Sequence, residues 1–257
     1  MRWIPFVLLA LGLNAADLRL TLRSRVETFK GSGEWDEVAV ERRIPASRTA
    51  LVICDMWDRH WCRGASERVA VLARKASPVL ERARELGVLI VHAPSETMSF
   101  YQEAPQRLHI LRIPKAQPPA SLSLSDPPLP IDDSEGGCDT GDKFFKAWTR
   151  QHASIRIDDR DLISDNGTEI YSALQLRGIQ NLLVMGVHTN MCILNRSFAI
   201  KQMTRWGIRC ILIRDLTDAM YDPQTHPHVS HEQGTELVIR HIEKYWAPSA
   251  LSADLLR

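Results

Sequence analysis

Residues 181–192 read NLLVMGVHTNMC. A short run that is apolar almost throughout, without alternation, suits a strand buried on both faces of a parallel sheet. It is followed by a polar loop and then by MCILNRSFAIKQMTRWG (191–207), which carries apolar residues at helical spacing and predicts one helix ending at Gly207. Working outward, the alternation repeats. Apolar runs lie at 49–55 (TALVICD), 88–94 (VLIVHAP), 154–158 (SIRID) and 208–215 (IRCILIRD). Helical stretches at 66–86, 167–178 and 231–246 separate or follow them. This order predicts a doubly wound, mostly parallel α/β sheet in three layers. Residues 17–44 alternate with period two around GSGE (31–34), so a β-hairpin extension over 17–46 is expected ahead of a domain at 47–247, with 248–257 as a C-terminal tail.

Composition narrows the function classes. With 44% hydrophobic and 25% charged residues the 257-residue chain is globular, which excludes a disordered, collagen-like or coiled-coil protein. A net charge of +1 gives no basic excess for nucleic acid. Six of the 14 prolines fall at 114, 118, 119, 127, 128 and 130, ahead of GGCDTG, so residues 114–142 read as a long Pro-rich loop, either a functional wall or lid or a plain insertion.

The first sixteen residues have the layout of a secretory signal peptide: Arg2, an apolar run, then Asn14, Ala15 and Ala16 before the first acid, Asp17. A secreted or periplasmic location is expected, with no membrane span once the signal is removed. Export makes disulfides possible, and Cys62 and Cys138, both in loop-like sequence, can pair. Cys54 and Cys210 lie within apolar runs and should be buried. The count of five cysteines leaves at least one thiol unpaired within the chain.

In an open parallel sheet, ligands bind beyond the C-terminal strand ends. That rim gathers Asp55, His92, Arg156 with Asp158 and Asp159, and the loop from Gly186 to Cys192. Cys192 follows a strand and a polar loop at the first turn of the expected helix, where free N–H groups favour a thiolate and can hold an oxyanion. Asp58-x-His60 with His92 offers a weaker set of metal ligands. His226, His228 and His231 form a loop cluster best read as polar surface. Neither is taken as a metal site, and no cofactor is expected.

The run LLVMGVHTNMCILNRSFAI, with ALVICDM upstream, resembles the isochorismatase-like cysteine hydrolase superfamily over residues 47–246. The motif Gly186-Val187-x-Thr189-x-x-Cys192 and the strand-ending Asp55-Met56 carry the resemblance. It implies an Asp–Lys–Cys triad with Cys192 as nucleophile and Asp55 as base. It also implies a cis peptide at Val187–His188 and an oxyanion hole of the His188 and Cys192 N–H groups. The implied reaction is hydrolysis of a small, non-peptide amide-like C–N bond through a Cys thioester, with a small molecule as partner and room for a homo-oligomer.

The family lysine is missing. The stretch ASIRIDDRDLISDNG holds none, so Arg156 is the expected stand-in, with Arg160, Lys146 and Arg150 the other nearby cations. Trp57, His92, Thr189 and Asn190 are expected to touch substrate. Trp57-Asp58-Arg59 replaces the family's Gln-Asn-Asp, and HAPSETMSFY lacks the nicotinamidase Asp-x-His metal loop. The alternative is a non-catalytic binding protein on the same fold, its triad eroded.

Overall fold

The computed structural model describes residues 16–257; all of the expected leader except Ala16 lies outside the described residues. Eight strands form one sheet: β1 (Asp17–Glu27), β2 (Trp35–Pro45), β3 (Thr49–Cys54), β4 (Leu89–Ala93), β5 (Leu162–Ile163), β6 (Asn181–Val187), β7 (Arg209–Asp218) and β8 (Ser249–Ala250), in the spatial order β2-β1-β8-β7-β6-β3-β4-β5. From β8 to β5 the pairs are parallel, while the hairpin joins antiparallel through Arg23 opposite Ser249. Every residue of β3, β4 and β6 is buried, as strands covered on both faces must be.

Side-chain alternation divides the core between the two faces. Leu51, Ile53, Leu183 and Met185 pack beneath α1 (Arg63–Glu85). Ala50, Val52, Leu182 and Val184 face the side that holds α3 (Gly167–Leu176), α4 (Cys192–Asn195), α5 (Ile200–Arg205) and α6 (His231–Tyr245). A short α2 (Pro105–Leu111), not anticipated from the sequence, starts with its proline in the first turn, where no N–H is needed. Gly186 adopts φ 119° and lies so close to Cys54 that a Cβ would collide with its carbonyl oxygen. Glycine here lets the strand ends carrying Asp55 and Cys192 lie side by side.

The structure departs from the expectations in three places. Residues 154–158 form turns rather than a strand, because only Ile155 of that run reaches the core and the backbone closes from Ile155 N–H to the His152 carbonyl. The strand next to β4 is instead the two-residue β5. The helix expected over 191–207 breaks into α4 and α5, with Arg196 extended between them at ψ 150°. The last ten residues are not a loose tail: β8 sits between β1 and β7, and Leu255 is fully buried.

The Pro-rich segment has no ladder of its own and is strapped across the α3–α5 surface. Ala116 N–H donates to Ser172 Oγ at 2.9 Å, Leu122 N–H to the Arg205 carbonyl at 3.0 Å and Asp132 N–H to the His226 carbonyl at 2.9 Å. Asp126 pairs with Lys201 at 2.7 Å, and Ile131 is buried. It is a wall rather than a floppy insertion. At its end Cys138 forms a disulfide with Cys62, Cα atoms 5.7 Å apart, closing a loop with a sequence separation of 76. Constraining a loop of this length in the unfolded chain contributes roughly 2–4 kcal/mol. Reduction, or Cys62→Ala with Cys138→Ala, should therefore lower the urea midpoint and raise the m-value, since the freed unfolded chain exposes more surface. An unchanged midpoint would show that the bond contributes nothing.

Candidate active site

Asp55 ends β3 in the left-handed region at φ 48° and its carboxylate is fully enclosed. One oxygen accepts the Ser95 N–H at 2.7 Å; the other accepts Arg196 Nε–H at 2.9 Å. The Cys192 thiol is close enough to this carboxylate for each to shift the other's pKa. The cation beside the aspartate is therefore Arg196, four residues after the cysteine. The break between α4 and α5 turns its side chain down onto the strand ends.

Arg196 has carboxylates on two sides. Its Nη atoms lie 3.3 and 3.4 Å from Glu96 Oε1, and Glu96 in turn holds Lys146, whose Nζ donates to the Glu96 carbonyl at 3.3 Å. Charge thus alternates from the buried Asp55 through Arg196 and Glu96 to Lys146 at the surface. Burial raises the Asp55 pKa above the ordinary carboxylate value, and Arg196 partly offsets it. Burial opposes the Arg196 charge, yet Asp55 and the Cys192 sulfur more than compensate and hold the guanidinium more firmly protonated. Burial first and the Asp55 charge second push the Cys192 thiol well up, while Arg196 and the His188 N–H pull the other way. At rest the cysteine is held as a neutral thiol beside Asp55.

The loop that carries Cys192 begins with a cis Val187–His188 peptide. The His188 N–H lowers the pKa of the cysteine thiol against the effect of burial, and Cys192 opens a single helical turn. Thr189 pins this loop to β7, and Asn190 pins it to Met220 just beyond β7 and to Asp133. Thr189 N–H donates to the Asp218 carbonyl at 2.9 Å and its hydroxyl meets Thr217 at 2.7 Å. Asn190 Oδ1 accepts the Met220 N–H at 2.8 Å, and Asn190 Nδ2 donates to Asp133 at 2.7 Å. Their side chains hold the loop in place. Asn190 still lines the shallow opening over Cys192 with Leu129, Asp133, Met191, Asn195 and Arg196.

Two further expectations change. Arg156 is on the surface, paired with Asp158 at 2.9 Å, because the strand that would have carried it to the rim is a turn. His92 is fully buried and hydrogen-bonded to Gln151 and Asp161, both at 2.9 Å, with Arg84 on the same Asp161 oxygen at 2.7 Å. Burial opposes the Asp161 charge, but His92 and Arg84 overrule it and bring its pKa down to about 2. His92 thus belongs to an internal charge network and not to the opening over Cys192. Trp57 is a backing wall: its Nε1–H donates to the Ser95 carbonyl and its ring stacks on Trp148 at 4.4 Å. His60 and His188 meet edge to face at 4.9 Å. Burial brings their pKa values down to about 4 and about 3, so both are neutral at pH 7.

The arginine was visible in the sequence as the residue four after Cys192, on the same face of a helical turn. It stands after the β6 loop and not near the end of a third strand, where the resemblance places the family lysine. Asp58 is occupied by Thr149 and Arg150 and so does not join His60 as a metal ligand. Among the described residues, the one grouping with metal-ligand spacing is Cys62, Cys138 and Asp142, and its two sulfurs are already bonded to each other.

The sequence model of the isochorismatase domain matches residues 49–232, well over half of the chain. The chain belongs to the isochorismatase family. As an isochorismatase-like hydrolase it shares its fold with a cysteine hydrolase from Pseudomonas syringae pv. phaseolicola 1448A, at 16% identity and a TM-score of 0.54 over 83% of this chain and 93% of that one. An isochorismatase from Pseudomonas putida KT2440 matches at 16% identity and a TM-score of 0.48, over 82% and 91% of the two chains. A nicotinamidase/pyrazinamidase from Bacillus subtilis matches at 14% and 0.38, over 76% and 94%. No curated protein matches the sequence. The isochorismatase domain begins at β3, so the β1–β2 hairpin precedes it, and β8 follows it.

Proposed function

We propose that this isochorismatase-family chain is an exported cysteine hydrolase that cleaves a small, non-peptide amide-like C–N bond. The observation that carries the reading is the grouping of the Cys192 thiol, the enclosed Asp55 carboxylate and the Arg196 guanidinium. In the proposed reaction the sulfur bonds to the carbonyl carbon as the thiol proton passes to Asp55. The His188 and Cys192 N–H groups hold the oxyanion. Collapse breaks the C–N bond, and the departing amine takes the proton from Asp55. Water then attacks the thioester, gives its proton through Asp55 to the leaving sulfur, and releases the carboxylic acid. Arginine does not surrender its proton, so Arg196 holds Asp55 as an anion and all proton traffic falls to Asp55.

The competing reading, a binding protein with an eroded triad, expects the third position to be empty. Arg196 against Asp55 favours the catalytic reading. Export is supported by the leader-like residues 1–16 and by the Cys62–Cys138 disulfide, which suits an oxidising compartment. Among the described residues no helix is long and apolar enough to cross a membrane.

The test is a screen of purified protein against nicotinamide, carbamoyl compounds and ureides, followed by rapid acid quench and intact-mass analysis. The expected result is turnover with an acyl adduct on the peptide carrying Cys192. Turnover with no adduct at any time point, together with full activity in the absence of the thiol, would overturn the thioester route.

A further inference from the structure

The strand at the open edge of the sheet is unusual for a finished surface. β2 is eleven residues long, lies last in the strand order and has no buried residue. The other edge, β5, is two residues long and buried. Short or covered edges are the usual protection against strand pairing, so an edge this long, with nothing among the described residues covering it, is the exception. Its outward backbone groups form a ready template, and Val40 is 39% exposed on the same face as its cross-strand neighbour Leu22.

We propose that β2 is a dimerisation strand that pairs antiparallel with β2 of a second copy of this chain about a two-fold axis at Val40. A two-fold axis normal to the sheet must pass between identical residues facing each other, which restricts the choice of register. Centring on Ala39 sets Glu37 against Glu41, and centring on Glu41 sets that residue against itself. Centring on Val40 pairs all eleven residues and opposes no like charges: Glu37 faces Arg43, Ala39 faces Glu41, Val38 faces Arg42 and Val40 faces Val40.

The hairpin supplies a second reason. Within one chain Arg43 lies directly opposite Arg19, a like-charge cross-strand pair. On the same face Glu37 lies opposite Arg25 and bonds it at 2.8 Å. In the proposed pairing the Glu37 carboxylate of each copy sits beside the Arg43 of the other, relieving that repulsion twice. On the opposite face Val38, Val40 and Leu22 of both copies form one apolar strip across the axis.

The test reads molecular mass, so its outcome is independent of the hydrolase reading. Light scattering after size exclusion, over a dilution series, should show wild-type dimers. Arg43→Glu should raise the dimer dissociation constant roughly tenfold or more, since each of two facing pairs becomes Glu against Glu. Glu37→Arg should do the same, and an equimolar mixture of the two variants should recover dimers, because each supplies the charge the other lacks. As a check that does not disturb the charges, Val40→Cys should give a disulfide-linked dimer on air oxidation. A wild-type monomer throughout, or a dimer indifferent to Arg43→Glu with no Val40→Cys cross-link, would overturn the proposal.

Discussion

Asp55→Asn is expected to separate two properties of Cys192 that usually move together. Hydrolysis of a confirmed amide substrate should fall about 10²–10⁴-fold, the ordinary contribution of a positioned base. Labelling of Cys192 by iodoacetamide at neutral pH should instead become faster. Burial and the Asp55 charge both hold the resting thiol protonated. Asparagine removes the second of these while Arg196 still favours the thiolate. In wild type, labelling should be slow at pH 7 and climb as pH rises; in the variant the same climb should begin at lower pH. Cys192→Ala should abolish both turnover and labelling at a nearly unchanged melting temperature, since only a small, partly exposed side chain is trimmed. Hydrolysis and labelling falling together in Asp55→Asn would mean that Asp55 activates the resting sulfur, and its assigned part in holding the resting thiol protonated would be wrong.

The second large effect concerns Arg196→Met. The Asp55 carboxylate is fully enclosed, and the guanidinium is the cation it bonds. Removing one partner of a buried pair costs about 3–5 kcal/mol, because the other charge is left uncompensated. The sign of the pH dependence follows from the direction of the shift. The Asp55 pKa is already raised by burial, and loss of the arginine raises it further. A carboxyl whose folded pKa lies above its unfolded one lowers stability as pH rises between the two values. The deficit of the variant in urea unfolding should therefore be greatest at neutral pH and shrink on acidification towards the ordinary carboxylate range. Turnover should fall with it, since a neutral Asp55 cannot accept the thiol proton. Arg196→Lys keeps the charge and should recover much of the stability. A variant as stable as wild type at pH 7 would show that Asp55 does not depend on this cation.

The parts of this architecture set by strong local patterns were legible in the sequence. The buried runs of β3, β4 and β6 are unbroken, β1 and β2 alternate roughly with period two, and Asp55 and Cys192 lie just beyond strand ends, where ligands gather. What escaped was decided by tertiary partners. SIRID has apolar residues at alternate positions, like a strand, yet Asp158 and Asp161 close it into turns, and with it went the expected place of Arg156. His92 ends a strand as expected, but Arg84 on α1 and Asp161 draw it into the interior. The break between α4 and α5 carries no proline or glycine to announce it. It depends on Gly167 packing against Ser197, whose hydroxyl accepts the Gly167 N–H at 3.0 Å.

The strap of prolines divides labour along the chain. The groups proposed to make and break bonds stand on β3, β6 and the turn after it, rigid parts whose sequence is constrained by burial. The wall facing them, with Leu129 and Asp133, belongs to coil pinned at a few points by Ser172, Arg205 and His226. Coil of this kind can be rewritten without disturbing a strand. One wall of the opening is therefore encoded apart from the stretch that carries Cys192, while Asn190, Met191, Asn195 and Arg196 supply the other. Exchanging the strap between relatives should re-target such a protein while leaving its chemistry in place.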